Sequence, residues 1–143
     1  MNKTWLIAGL SLALCACGSS QKKEVQENPF FTTYTTPFGV PPFEDIQLEH
    51  YKEAFLKGME EQKKEVEAII NQRSMPDFDN TIAALDESGS LLNKVSYVFF
   101  GQNSANTSDE MQALSREMSP LLSQHSDDIN LNPRLFERVK QVY

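Results

Sequence analysis

Two histidines, two cysteines and twenty acidic residues are the side chains with which this chain could build metal, nucleophilic or acid–base chemistry. A zinc site on one helix needs two imidazoles a turn apart with a carboxylate between them to activate water, as in His-Glu-x-x-His. His50 is followed by Tyr51 and His125 by Ser126, so neither opens such a motif. His50, in a first helical turn, reads as a local polar contact, and His125, on an apolar face, as a satisfied core histidine. Asp127-Asp128 adjoins His125, but helical neighbours point apart, and the pair reads as a solvated turn with no evident basic partner. Ser104, Ser115 and Ser119 lack a nucleophile-elbow context. The six glycines are scattered and form no phosphate-cradling loop. No catalytic residue and no metal ligand is assigned in the chain.

The cysteines carry a different chemistry. Met1-Asn2-Lys3 is a short positive start, and residues 5–16 form an apolar stretch containing Leu6, Ile7, Leu10, Leu12 and Leu14. That is the pattern of a secretory signal and is too short to span a bilayer. It ends Leu14-Cys15-Ala16-Cys17-Gly18, which resembles a bacterial lipobox with Leu at −3, Ala at −1 and Cys at +1. Cys17 is therefore the expected lipidation site: its sulfur takes the diacylglyceryl group, and after cleavage its amino group can be acylated. Cys15 fits worse, because Leu14 would stand where a small residue belongs. The alternative is an ordinary signal peptide with an incidental Cys17. Several acyl chains on one residue anchor far more firmly than one. Cys15 leaves with the signal and Cys17 is alkylated, so no disulfide or thiolate metal site is expected. The expected location is the cell envelope, exported and held on a membrane, on the periplasmic or outer-membrane side.

The remaining residues read as scaffold. At 143 residues and 40% hydrophobic content the chain can form one domain or part of a larger one. A net charge of −7 argues against nucleic acid as partner. We divide the chain into a signal (1–16), a polar tether (17–28), an extended Pro/aromatic arm (29–47) and a helical region (48–143). In the arm, Pro29, Pro37, Pro41 and Pro42 exclude a helix. Phe30, Phe31, Tyr34, Phe38 and Phe43 are expected to lie across the body with several rings buried, or else to dock a partner.

The first helix is expected from Leu48, with Gln47 a poor cap and a fraying end. Tyr51, Phe55, Met59, Gln62, Val66 and Ile69/Ile70 mark its inner face, and Glu60, Glu61, Lys63, Lys64, Glu65 and Glu67 a solvated one. Residues 76–101 form the organising element. Asp77 caps a segment with Phe78, Ile82 and Leu85 on one face, and Ser88-Gly89-Ser90 breaks it. Leu91, Val95 and Val98/Phe99 then resume the period. Thr107 with Glu110 fits a capping box. The next helix carries Met111, Leu114, Met118, Leu121/Leu122, His125 and Ile129, with a kink at Pro120. Asn132-Pro133 opens a further helix through Leu135, Phe136 and Val139. No strand alternation and no repeat appears, so the fold class is all-α, built of antiparallel helical hairpins. The apolar pattern stops at Val142-Tyr143 without Gly, Pro or a polar tail, and a longer protein is expected.

Several phrases carry a family likeness. "NPFF", "PPFEDIQLEHYKEAF", "PDFDNTIAALDESGSLLNKVSYVFFGQNSANTSDEMQAL" and "LSQHSDDINLNPRLFERVKQVY" resemble, in that order, the N-terminal region of thimet-oligopeptidase-like zinc metallopeptidases, in their bacterial peptidyl-dipeptidase and oligopeptidase A branch. The resemblance covers roughly residues 28–143. It departs at Asp77 and Asp79, where the family typically has Thr and Glu. It implies the N-terminal wall of a larger helical zincin-type peptidase with a deep channel, zinc in the intact enzyme but none bound by this chain, and short peptides as substrates. The chain alone is expected to be inactive. The competing reading is a self-contained, non-catalytic helical lipoprotein that binds peptides or proteins at the envelope.

Overall fold

The computed structural model describes residues 27–143; the signal, Cys17 and nearly all of the tether lie outside the described residues. The arm enters through two single turns of 3-10 helix, Pro29–Phe31 and Pro37–Gly39. Five elements follow: α1 (Leu48–Ile70), α2 (Ala84–Glu87, entered through a π-helical turn at Phe78–Ala83), α3 (Ser90–Ala105), α4 (Asp109–Asn130) and α5 (Pro133–Lys140). No strand occurs among the described residues.

The helix α1 is the central element. Tyr51, near its start, meets Phe99 near the end of α3, and Gln62 reaches Ser88 just before α3. The two helices therefore run antiparallel. Lys52 pairs with Glu117 and Gln62 with His125, so α4 runs beside α1 in the same direction, and antiparallel to α3. The helix α5 closes over the far end of α1 through Arg134–Asn71 and Arg138–Gln72. The main core gathers Phe30, Tyr51, Ala54, Phe55, Leu92, Val95, Phe99, Leu114 and Met118. Phe99 meets Tyr51 and Phe55 edge-on at centroid distances of 5.1 and 5.3 Å, the arrangement aromatic quadrupoles favour. Val66, Ile69 and Leu135 form a smaller cluster under α5.

Two glycines set the α1–α3 geometry. Gly58 lets the Leu92 backbone approach so closely that a Cβ there would lie 2.9 Å from its N and Cα. Gly89 has φ +75°, the left-handed conformation expected at the break, and its N–H donates to the Glu65 carboxylate at 2.7 Å.

The inner face of α1 is as expected, with Tyr51, Phe55, Val66 and Ile69 buried. Asp77 is the cap, accepting from the Asn80 N–H at 2.7 Å. Other expectations need correction. Phe78 is 63% exposed, and Thr81 is fully buried in its place, because the entry turn is π-helical and its wider winding shifts the phase of the face. Ser108 caps α4, accepting from the Met111 N–H, while the Thr107 hydroxyl turns back to Asn103. The start of α1 is held: the Gln47 N–H donates to His50 Nδ1 at 3.0 Å. As expected, Pro120 does not end α4, which continues to Asn130.

Of the arm's aromatic residues only Phe30 is fully buried, with Pro29 buried beside it. Phe31 and Tyr34 are half-buried, and Phe43 and Phe38 are exposed. Asn28 anchors the arm to the His50 carbonyl and the Glu53 carboxylate, both at 2.9 Å. Lys94 donates to the Phe30 and Thr32 carbonyls and sits 3.9 Å above the Tyr34 ring. Beyond Tyr34 the arm loses this hold, and Phe38 stands fully exposed at φ +60°.

Candidate functional site

The two histidines are held apart by α1 itself. His50 sits in its first turn, buried, with Nδ1 occupied by the Gln47 N–H. His125 meets α1 at Gln62, where Nε2 and the amide Oε1 are 2.8 Å apart. Gln62 lies twelve residues beyond His50, and a helical rise of about 1.5 Å per residue separates the two imidazoles by about 18 Å along the axis. Two nitrogens on one zinc can stand no more than about 4 Å apart. No group of three or more His, Cys, Asp or Glu side chains able to hold a metal exists among the described residues. The described residues therefore do not fit a zinc site.

His125 belongs to a small polar network. Gln62 also donates weakly to Ser88, at 3.4 to 3.5 Å. Burial lowers the His125 pKa; Lys63 acts in the same direction and Asp128 opposes both. Asp128 is not without a basic neighbour, as the sequence reading had it: Lys63 Nζ lies 4.0 Å away, at the limit of an ion pair. Ser119 uses its hydroxyl on the Ser115 carbonyl, in the i to i−4 pattern of helical serines.

The outward side of α3 is more distinctive. Tyr97 is 82% exposed, and Phe100 is exposed too. With Pro41 and Phe43 of the arm, Tyr97, Val98, Gly101 and Ala105 line a shallow groove of about 330 Å³. The sequence reading missed this face, since it followed Leu91, Val95 and Val98/Phe99 as the inner side of α3 and gave Tyr97 and Phe100 no role. A second feature it missed is Arg138, 7% exposed, which lines a cleft between α5 and the loop after α1.

Comparison with known proteins finds relatives that this chain matches over part of their length. The chain is 44% identical over 116 residues to the dipeptidyl carboxypeptidase of Escherichia coli K12, and 42% over 116 residues to that of Salmonella typhimurium. It is 26% identical over 107 residues to oligopeptidase A of Escherichia coli K12. This chain is a homologue, over part of their length, of the thimet-oligopeptidase-like peptidases. The matches take in 81% of this chain for the two dipeptidyl carboxypeptidases and 75% for oligopeptidase A. The chain spans only 17% of the length of each dipeptidyl carboxypeptidase and 16% of oligopeptidase A. No family model matches. Among the described residues the part that matches these relatives is a helical scaffold that brings no two candidate catalytic side chains together. Cys17, the expected lipidation site, lies outside the described residues.

Proposed function

We propose that this chain is the N-terminal part of a lipid-anchored zinc peptidase that hydrolyses short peptides, and that its helices form one wall of the substrate channel. The observation that carries the reading is the 44% identity across four-fifths of this chain to a protein of which it spans only 17%. The metal and its ligands would belong to the remaining length of such a peptidase, because the described residues here do not fit zinc. This chain would supply shape: the α1–α3–α4 layer is rigidly packed, and the apolar outer side of α3 suits contact with further protein. The anchor would be Cys17, holding the enzyme at the envelope.

The test has two arms. A longer reading frame, purified whole, should release dipeptides from the C-termini of short peptides and lose that activity to a chelator, whereas the 143-residue chain should release none. Dipeptide release by the short chain, or a continuation without a His-Glu-x-x-His helix, would refute the assignment. For the anchor, cells fed a labelled fatty acid should label the wild type, and Cys17→Ala should be unlabelled and leave the membrane fraction. Equal labelling of both would remove the anchor and leave the peptidase reading untouched.

A further inference from the structure

Three of the four arginines in this chain, Arg73, Arg134 and Arg138, line one cleft, although the chain carries a net charge of −7. The cleft measures about 600 Å³ and lies between the loop after α1 and the start of α5, with Gln72, Met75 and Pro133 among its walls. Arg138 is 7% exposed. Its terminal nitrogens donate to the Gln72 carbonyl at 3.2 Å, the Gln72 side-chain oxygen at 2.8 Å and the Asn80 side-chain oxygen at 2.9 Å. All three acceptors are neutral, and its Nε is buried without a partner. Arg134 likewise donates to a neutral amide, that of Asn71 at 2.7 Å. The ion pairs formed among the described residues all use lysine. Glu137 also lines the cleft but forms no ion pair with these guanidiniums.

A buried guanidinium that meets only amide oxygens keeps its full charge, and burial is costly unless an anion offsets it. Two further guanidiniums in the same concavity add their fields to it. The start of α5 is not the source of the attraction, because the Asn132 side chain already accepts from the Arg134 and Leu135 N–H groups. Guanidinium forks match carboxylates in shape and take them in bidentate fashion. The apolar surfaces of Met75 and Pro133 beside them suit a peptide better than a bare inorganic ion. We propose that this cleft binds a peptide carboxylate, either a chain terminus or an acidic side chain. The choice of a peptide rests on the peptidase reading; the anionic character of the ligand rests on the cleft alone.

The test is a titration of the full chain, followed by NMR shifts or calorimetry, with tri-alanine, tri-alanine amide, acetyl-Ala-Glu-Ala-amide and inorganic phosphate. Tri-alanine binding without its amide identifies a terminal carboxylate. Binding of the Glu peptide identifies a side-chain carboxylate, and both together identify a site indifferent to the source. In each supporting case Arg73→Gln and Arg134→Gln, both surface changes, should weaken binding about tenfold apiece. Glu137→Gln should tighten it, and added salt should weaken it. Arg138→Lys adds a check if it folds, but the two surface variants suffice. Saturation by the amide as readily as by the acid, saturation by no peptide, tighter binding of phosphate than of any peptide, or unchanged binding in the Arg73→Gln/Arg134→Gln double variant would each overturn the assignment. Binding is read without hydrolysis, so a chain inactive as a peptidase still reports on this cleft.

Discussion

Replacing Gly58 by alanine gives the sharpest test of how α1 and α3 meet. Glycine inside a helix is worth about 0.5–1 kcal/mol less than alanine, so the change alone should stabilise. At position 58, however, the new Cβ would lie 2.9 Å from Leu92 N and Cα and 3.1 Å from its Cβ. Carbon contacts are comfortable at about 3.5–4.0 Å. The obstacle is backbone, which cannot rotate away as a side-chain end can, so the helices must part locally by about 0.5–1 Å. A gap of that size forfeits a quarter to a half of the dispersion in each contact it opens. Phe55, Leu92, Val95 and Phe99 all lie along this seam. Overpacking of this kind typically costs about 1–3 kcal/mol, leaving Gly58→Ala less stable by about 1 kcal/mol after the propensity gain.

Gly101→Ala is the control. It lies in α3, is exposed, and its new Cβ would meet nothing within 4 Å, so it should gain about 0.5–1 kcal/mol. Urea titration of both variants reads the difference, about 1–3 kcal/mol, with propensity cancelled. If both variants gain stability equally, α1 and α3 do not touch at Leu92 and the packing described above is wrong.

Two further perturbations follow from the core and the polar network. Phe99→Ala removes a fully buried ring flanked edge-on by Tyr51 and Phe55, and should lower the unfolding free energy in urea by about 3–5 kcal/mol; a loss below 1 kcal/mol would mean that Phe99 is not central. His125 has its pKa lowered by burial, so the unfolded chain binds its proton more readily than the folded one. The stabilisation this gives is complete above the unfolded value near 6.5 and is lost as pH falls through the lowered folded value. His125→Gln should therefore flatten stability between about pH 7.5 and 5, and an unchanged pH profile would show that His125 is solvated.

Local signals were the legible ones. Asp77 caps its helix and Gly89 takes the left-handed conformation because each depends on two or three adjacent residues, all visible in sequence. The face of α1 was legible because one period runs through 23 residues. Phe78 was not, since a single π-helical turn shifts the phase and nothing in Phe-Asp-Asn-Thr announces it. Thr107 and Ser108 offer the same hydroxyl chemistry, and only the position of the first helical turn selects between them. In the arm, five aromatic residues signalled burial without saying whose. The selection falls at Lys94 on α3, sixty positions or more away, which pins the segment up to Tyr34 and leaves Phe38 and Phe43 outside.

Arg138 shows where a charged residue can be more informative than an apolar one. Asn132-Pro133 fixes the first turn of α5, and Leu135, three residues before Arg138, is buried. Residues three apart share a helix face, so the spacing from Leu135 could have placed this guanidinium on the inward side, although the sequence reading took only Leu135, Phe136 and Val139 for that face. What it could not supply is the partner, because Gln72 and Asn80 come from the loop after α1 and from the turn into α2. Had either been a carboxylate, Arg138 would be an ordinary buried ion pair with nothing left to attract. Two neutral amides satisfy hydrogen bonds but leave the charge standing, and Arg73 and Arg134 bring like charges into the same cleft, where Glu137 is the one acid and pairs with none of them. Like charges in one concavity raise the energy of the empty cleft beyond what the single carboxylate of Glu137 offsets, and an anion entering it lowers that energy.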